Sequence, residues 1–373
     1  MTQLQFNPHL LKVPLYIAGK SIEEVQEELG LDEIVKLGSN ENPLGPSPLA
    51  VAAAQDMLTE AHRYPNYWEK VLRRKLAPTI DPAFTEHHIL TGNGGCDVLR
   101  IVTQAFMGEG GEAITAEATF PMFSILTTMF GGQTIETPLT SDYGLDLPAI
   151  LRAVTPRTRL IFLCTPNNPT GAILRRREAD EFIAQVPDHV VVVFDESYGD
   201  FVADPDHVNS IAYIKQGKNV VTVRSFSKKS GLANFRVGYA IGRPEIIEYL
   251  HHAQMPFNTG SISLVAAAAS LDDHDYQRRS AHLVQEERNY LYAAFDDLDL
   301  CYLRSEANFV LVVNPPIDAK TLVEAVLRKG VIIRWAGSMG LPNAFRVTVG
   351  THEQNEQCVA ALRTVLEEVK AIA

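Results

Sequence analysis

The chain has 373 residues, 46% of them hydrophobic and 21% charged, the profile of a soluble globular protein with two domains, or with one large and one small. A net charge of −12 gives a nucleic-acid partner no electrostatic support, although a local arginine cluster can still hold an anionic substrate. There is no apolar run of about 18 residues for a membrane span and no signal-peptide pattern. Four scattered cysteines without a CxxC pair fit a reducing cytoplasm rather than disulfides or zinc.

Residues 1–35 read as an arm with one short helix, IEEVQEELG, capped by Ser21 and stopped by Gly30. KLGSNENPLGPSP is a polar loop, residues 48–62 a helix, RYPNY a turn-rich break, and residues 68–76 a helix again. From His87 the pattern becomes strand, loop and helix in repetition: HHILTG, NGGCD, VLRIVTQAF, EAITAEATF, MFSILTTMFGG, QTIETPL, LDLPAILRAV, TRLIFLCTP, HVVVVFDESY, NVVTVRSFS and VGYAIG. Strands alternating with helices predict a mostly parallel α/β sheet, with ligands bound beyond the carboxyl ends of its strands. After Arg243 long helical patterns dominate, followed by the strands ANFVLVV, GVIIRW and AFRVTVG and a closing helix from about Glu353. The expected division is an arm at 1–35, a large domain at 36–260, and a small α+β domain at 261–373 joined by part of the arm.

The candidate chemistry sits at strand ends. Lys228 lies where a buried strand opens into a polar loop, so desolvation can make its amine nucleophilic, ready for an imine with a carbonyl cofactor such as pyridoxal phosphate. Ser225, Ser227 and Arg236 offer two hydroxyls and a forked cation to a phosphate beside it. Gly94 and Gly95, between a strand and a helix, let a backbone approach an anion, or simply make a tight turn. Phe120 can stack on a flat ring or fill a core, and Asn168 can reach a ring oxygen or merely shape an Asn-Pro turn. Asp195 closes the most apolar strand, where a carboxylate is costly unless paired; a protonated pyridine nitrogen suits it, as does a helix cap or a metal. Tyr198 follows three residues on. Arg346 stands in an apolar strand and needs an anion, either a substrate carboxylate or a structural partner, and Arg334 shares that ambiguity. None of the 11 histidines falls in a metal-binding motif, and no metal is expected.

In their order and spacing, KLGSNENPLGPSP, RYPNY, GNGGCD, TPNNPTG, DESY, SFSKKSGLANFRVGY and GLPNAFRVTVGT resemble the fold-type I, class II pyridoxal-phosphate-dependent aminotransferases, and within them the histidinol-phosphate branch, from about residue 16 to 351. The resemblance implies a fold-type I transferase: a mostly parallel central sheet with helices on both faces, plus the smaller α+β domain. It implies pyridoxal 5′-phosphate bonded to Lys228, which precedes Gly231 by three residues and Arg236 by eight, a spacing that Lys229 does not keep. Asp195 would pair with the pyridine nitrogen, Asn168 and Tyr198 with the ring oxygen, and Phe120 with the ring face. Ser225, Ser227, Arg236 and the backbone of Gly94, Gly95 and Cys96 would hold the cofactor phosphate, joined by Tyr64 from the partner subunit of a homodimer with shared sites. Arg346, Arg334, Asn42 and, from the other subunit, Tyr16 would meet the substrates. The implied reaction is ping-pong transamination of L-histidinol phosphate and 2-oxoglutarate to imidazole-acetol phosphate and L-glutamate, a cytoplasmic step of histidine biosynthesis. Cys96, Gln254-Met255 and FNTG depart from the family pattern, and Trp335 and Met339 make the segment after Arg334 more apolar. A flatter, greasier pocket would suit an aromatic amino donor, the main alternative. A phosphothreonine decarboxylase or a cofactor-binding sensor on the same scaffold ranks below it.

Overall fold

The computed structural model describes residues 4–15 and 19–372. The expected Tyr16 therefore lies outside the described residues. The chain opens with α1 (Ile22–Leu29), whose Ser21 and Glu24 form a reciprocal capping box and whose Gly30 ends it at φ +65°. A short strand, β1 (Val35–Lys36), leads through the polar loop to α2 (Pro48–Met57) and α3 (Asn66–Ile80).

The larger layer then alternates strands and helices, with α7 and α8 added to the expected elements: β2 (Ile89–Asn93), α4 (Gly95–Phe106), β3 (Glu112–Ala116), α5 (Met122–Met129), β4 (Gln133–Thr137), α6 (Leu147–Arg152), β5 (Thr158–Cys164), α7 (Arg176–Gln185), β6 (Val191–Asp195), α8 (Ser210–Lys215), β7 (Val220–Ser225) and β8 (Val237–Gly242). Seven strands pair in the order β2-β8-β7-β6-β5-β3-β4. Only β8 runs against its neighbours; β3 to β7 are parallel.

The near-continuous apolar strands follow from burial on both faces. Val192 and Phe194 of β6, with Ile161 and Leu163 of β5, feed one core. Val191, Val193, Leu160 and Phe162 feed the core on the other face. Side chains of successive strand residues point to opposite faces, so each strand has to be greasy throughout.

The rest comprises α9 (Pro244–His251), α10 (Ser261–Ser270), α11 (His274–Asp297), β9 (Phe309–Val313), α12 (Ala319–Leu327), β10 (Val331–Ile332), β11 (Arg334–Trp335), β12 (Ala344–Thr348) and α13 (His352–Ile372). A separate core gathers Leu291, Phe295, Val310, Phe345 and Leu362 from these elements, together with Leu37 from just after β1. The arm thus joins the second domain through the parallel pairing of β1 with β10. The expected strand GVIIRW divides at Ile333 into β10 and β11. α10 lies after the expected boundary at 260, yet its Leu264, Ala266 and Ala267 belong to the core of the larger layer, where it packs on α2 and α3.

Candidate active site

The carboxyl ends of β5, β6 and β7 lie side by side, with Cys164 in register with Asp195 and Asp195 with Val223. This is the crevice in which parallel α/β sheets hold ligands. A cavity of about 510 Å³ opens there, lined by Gly95, Cys96, Phe120, Asn168, Asp195, Tyr198, Ser225, Ser227, Lys228, Arg236, Arg334 and Arg346 among others. Residues expected from seven separate stretches of sequence thus face one space.

Lys228 follows β7 by three residues, and its Nζ donates to the Asn40 carbonyl at 3.2 Å and reaches the Ser39 carbonyl at 3.5 Å. Burial, and after it the Arg346 guanidinium, pull its pKa from the ordinary 10.5 down to about 8. Lys229 does not line the cavity.

Asp195 ends β6 with only 3% of its surface exposed. Its Oδ1 accepts from the Ser197 amide at 3.0 Å and the Ser197 hydroxyl at 2.6 Å. Burial raises its pKa. Among the described residues no lysine or arginine forms an ion pair with it. The carboxylate beside it, Glu196, does have a partner: Arg224 Nη2 at 2.8 Å.

The sequence NGGCD starts the helix earlier than expected, α4 beginning at Gly95. Gly94 has φ +84°, and a Cβ there would strike the Arg236 guanidinium, so only glycine admits this close approach. The first amides of α4 have no intrahelical partner and face the same space as Ser225, Ser227 and Arg236. Asp97 accepts from the Asn93 amide at 2.9 Å and Arg100 Nε at 2.8 Å, which ties the loop to the helix.

Across the cavity, Arg334 of β11 stands in register with Arg346 of β12, so both project from one face of the small sheet. Arg346 is 5% exposed; Nη2 donates to the Gly38 carbonyl at 2.8 Å and Nη1 to Asn168 Oδ1. Tyr198 packs edge-on against Phe309 and accepts from Asn40 Nδ2 at 2.9 Å.

Two expectations fall elsewhere. Asn42 does not line the cavity: its Nδ2 is occupied by the Lys228 carbonyl at 3.1 Å, the Lys229 carbonyl at 2.9 Å and Ser280 Oγ at 2.7 Å. It holds the lysine loop. Trp335 turns away, its indole donating to the Pro342 carbonyl at 2.8 Å, whereas Met339 does face the cavity. Tyr64 lies 79% exposed outside its own chain's cavity, stacked on Phe257 at 4.6 Å. Asn40 and Ser197, which touch Tyr198, Lys228 and Asp195, escaped the sequence reading. The SNENP and DESY motifs contain them, but residue type alone does not mark which small polar residue is buried.

The residue set fits a phosphorylated pyridine aldehyde: an amine with a lowered pKa, a buried carboxylate lacking a cation, and an anion cradle built of glycines, hydroxyls and a guanidinium. The family Aminotransferase class I and II matches residues 32–362, and the chain belongs to it. It is an enzyme of amino-group transfer. More narrowly, the chain is 40% identical to the histidinol-phosphate aminotransferase of Moorella thermoacetica over 96% of this chain and 92% of that one. It is 41% identical to the histidinol-phosphate aminotransferase of Symbiobacterium thermophilum over 95% and 96%. Among solved structures, the histidinol-phosphate aminotransferase of Sinorhizobium meliloti in complex with pyridoxal-5′-phosphate shares the fold at TM-score 0.90 with 24% identity, over 99% of both chains.

Proposed function

We propose that this enzyme transfers the amino group of L-histidinol phosphate to 2-oxoglutarate, with pyridoxal 5′-phosphate as cofactor. The observation that carries the reading is the register of Arg334 with Arg346 in the cavity that also holds Lys228. Two guanidiniums outside the phosphate cradle suit substrates that are themselves anionic at a distance from the reacting carbon.

The cofactor, when bound, supplies an aldehyde that takes up the amino group and a ring that draws electrons from the reacting carbon. Gly94, Gly95, Cys96, Ser225, Ser227 and Arg236 hold its phosphate. Asp195 would hold a negative charge against the ring nitrogen, whose positive charge would offset the cost of burying the carboxylate. Phe120 would cover a ring face, and Asn168 and Tyr198 would meet the ring oxygen. Lys228 Nζ moves a proton at the substrate carbon; with a pKa of about 8 it changes charge near working pH. Arg346 orients the glutamate and 2-oxoglutarate carboxylates, and Arg334 holds the phosphate of histidinol phosphate.

The working unit is a homodimer with shared sites. Tyr64, Tyr67, Met255 and Phe257 are large and exposed, an apolar patch that a second copy would cover. Tyr64 of the partner subunit would then complete the phosphate cradle. No helix among the described residues is long and apolar enough to cross a membrane. The four cysteines are unpaired, which fits the reducing cytoplasm.

Met339, Ile125 and Leu15 in the cavity wall favour a second reading, an aromatic amino donor. A panel of donors with 2-oxoglutarate separates the two. Histidinol phosphate should give the highest kcat/KM, and a preference for phenylalanine or tyrosine would overturn the substrate assignment.

A further inference from the structure

Asn40 sits between the two domains and lines the cavity together with Gly38, Ser39 and Glu41. It is 1% exposed. Its φ of +55° lies in the left-handed region, which asparagine tolerates better than most residues. A buried asparagine has to satisfy its backbone and its amide together.

Every one of those groups is spent on a working part of the enzyme. The backbone N–H donates to Thr348 Oγ1 at 2.9 Å. The carbonyl accepts from Lys228 Nζ and from Asn308 Nδ2, both at 3.2 Å. Oδ1 accepts the Thr348 hydroxyl at 3.1 Å, and Nδ2 donates to Tyr198 Oη at 2.9 Å. Thr348 lies two residues from Arg346 on β12, so one residue joins the carboxylate-binding strand to the amine and the phenol.

The directions of these bonds matter more than their number. Thr348 has one hydroxyl hydrogen, and giving it to Oδ1 leaves Nδ2 facing Tyr198. Tyr198 is thereby the acceptor in that contact. Among the described residues no acceptor takes the phenol hydrogen, and Tyr198 lines the cavity. The hydrogen is left for a ligand there.

We propose that Asn40 is a positioning residue that keeps Tyr198 a hydrogen-bond donor to the cofactor ring oxygen while its carbonyl steadies the Lys228 amine. The proposal rests on the pyridoxal-phosphate reading above. With the cofactor bound at Lys228, a donor on the ring oxygen would weaken that oxygen's hold on a proton near the Lys228 nitrogen. The nitrogen's pKa falls, and with it the midpoint of the pH-dependent visible absorbance.

The test is a pH titration of that absorbance in purified protein loaded with pyridoxal phosphate. Asn40→Gly keeps the left-handed backbone and the carbonyl but deletes the amide, and should raise the midpoint by about half to one pH unit. Tyr198→Phe should raise it at least as far, and adding Asn40→Gly to Tyr198→Phe should add nothing. Thr348→Val, which removes the hydroxyl that orients the amide, should shift the midpoint in the same direction and serves if Asn40→Gly fails to fold. A midpoint unmoved in the folded variants despite a lowered Tm, or a shift that adds in full to that of Tyr198→Phe, overturns the proposal. A wild-type protein that gains no visible band with pyridoxal phosphate overturns the cofactor reading and this inference with it.

Discussion

Arg346 of β12 donates Nη1 to Oδ1 of Asn168, in the loop that follows β5. A residue expected at the substrate and one expected at the cofactor are therefore bonded to each other across the two layers. The guanidinium fork is held in place before any ligand arrives, since Nη2 is fixed on the Gly38 carbonyl. Such preorganisation lowers the cost of binding a carboxylate.

Arg346→Lys keeps the charge and loses the fork. Charge-assisted hydrogen bonds of this kind are each worth about 1.5–3 kcal/mol. The expected result is a rise in KM for 2-oxoglutarate of about 10- to 100-fold, with cofactor absorbance unchanged. Steady-state kinetics with the oxo acid varied check it.

Lys228 makes a prediction about pH. Its folded pKa, about 8, lies below the ordinary 10.5, so in the cofactor-free protein the unfolded chain binds more protons between those values. Stability from this group therefore rises with pH across that window, and the penalty is full below about 8. Lys228→Met should melt higher than wild type at pH 7 when both are free of cofactor, and the difference should shrink toward pH 10. If Lys228 carries the proton, the same variant should lose turnover by at least about 10²-fold. Thermal melts across pH and a single-turnover assay with glutamate provide the two measurements.

How much of this was legible in the sequence depends on where the cause lies. HVVVVFDESY announces β6 and its terminal carboxylate because burial on both faces demands an unbroken apolar run. The Ser21 cap and Gly30 stop of α1 were legible because they lie at the ends of one short segment. α7 went unseen: RREADEFIAQ is mostly polar and buries only Ala179, Phe182 and Ile183, although their spacing marks one helical face. β1 is two residues long and exists through its pairing with β10, far along the chain. Asn42 and Trp335 could not be assigned for a related reason. Whether a side chain faces the cavity or the loop behind it is set by neighbours from other segments.

Asp195 should trade stability for affinity. Its pKa is raised by burial above the ordinary 3.8, so at pH values above that range the ionised carboxylate destabilises the cofactor-free fold. Asp195→Asn should raise Tm of the cofactor-free protein at pH 7 and not at pH 3. If Asp195 is the charge partner of the ring nitrogen, the variant should also weaken pyridoxal-phosphate binding by about tenfold or more. Calorimetry at the two pH values and a cofactor titration decide it.

Glu196 is the carboxylate that does have a cation. It is 4% exposed, takes Arg224 Nε at 3.0 Å and Nη2 at 2.8 Å on one oxygen, and takes the Ser210 hydroxyl on the other at 2.5 Å. The pair ties the end of β6 to β7, one residue beyond Asp195 and one before Ser225. Removing one partner of a buried pair strands the other, at a cost of about 3 kcal/mol. Arg224→Met should lower stability by that amount in urea unfolding, and the double variant Arg224→Met/Glu196→Gln should recover part of it.

The shared-site homodimer makes the most specific prediction. If Tyr64 serves the partner's cavity, Lys228→Ala and Tyr64→Ala impair different sites when placed on different chains. A Lys228→Ala homodimer should be inactive, and a Tyr64→Ala homodimer should bind pyridoxal phosphate more weakly. In a hybrid of the two, one cavity carries both defects. The other pairs an intact Lys228 with the intact Tyr64 of the opposite chain. Unfolding and refolding an equal mixture gives hybrids as about half of all dimers, each with one sound site, so turnover at low cofactor should return to about a quarter of wild type. A mixture no more active than the average of its two parents would place Tyr64 in the service of its own chain, against the exposure it shows on the surface.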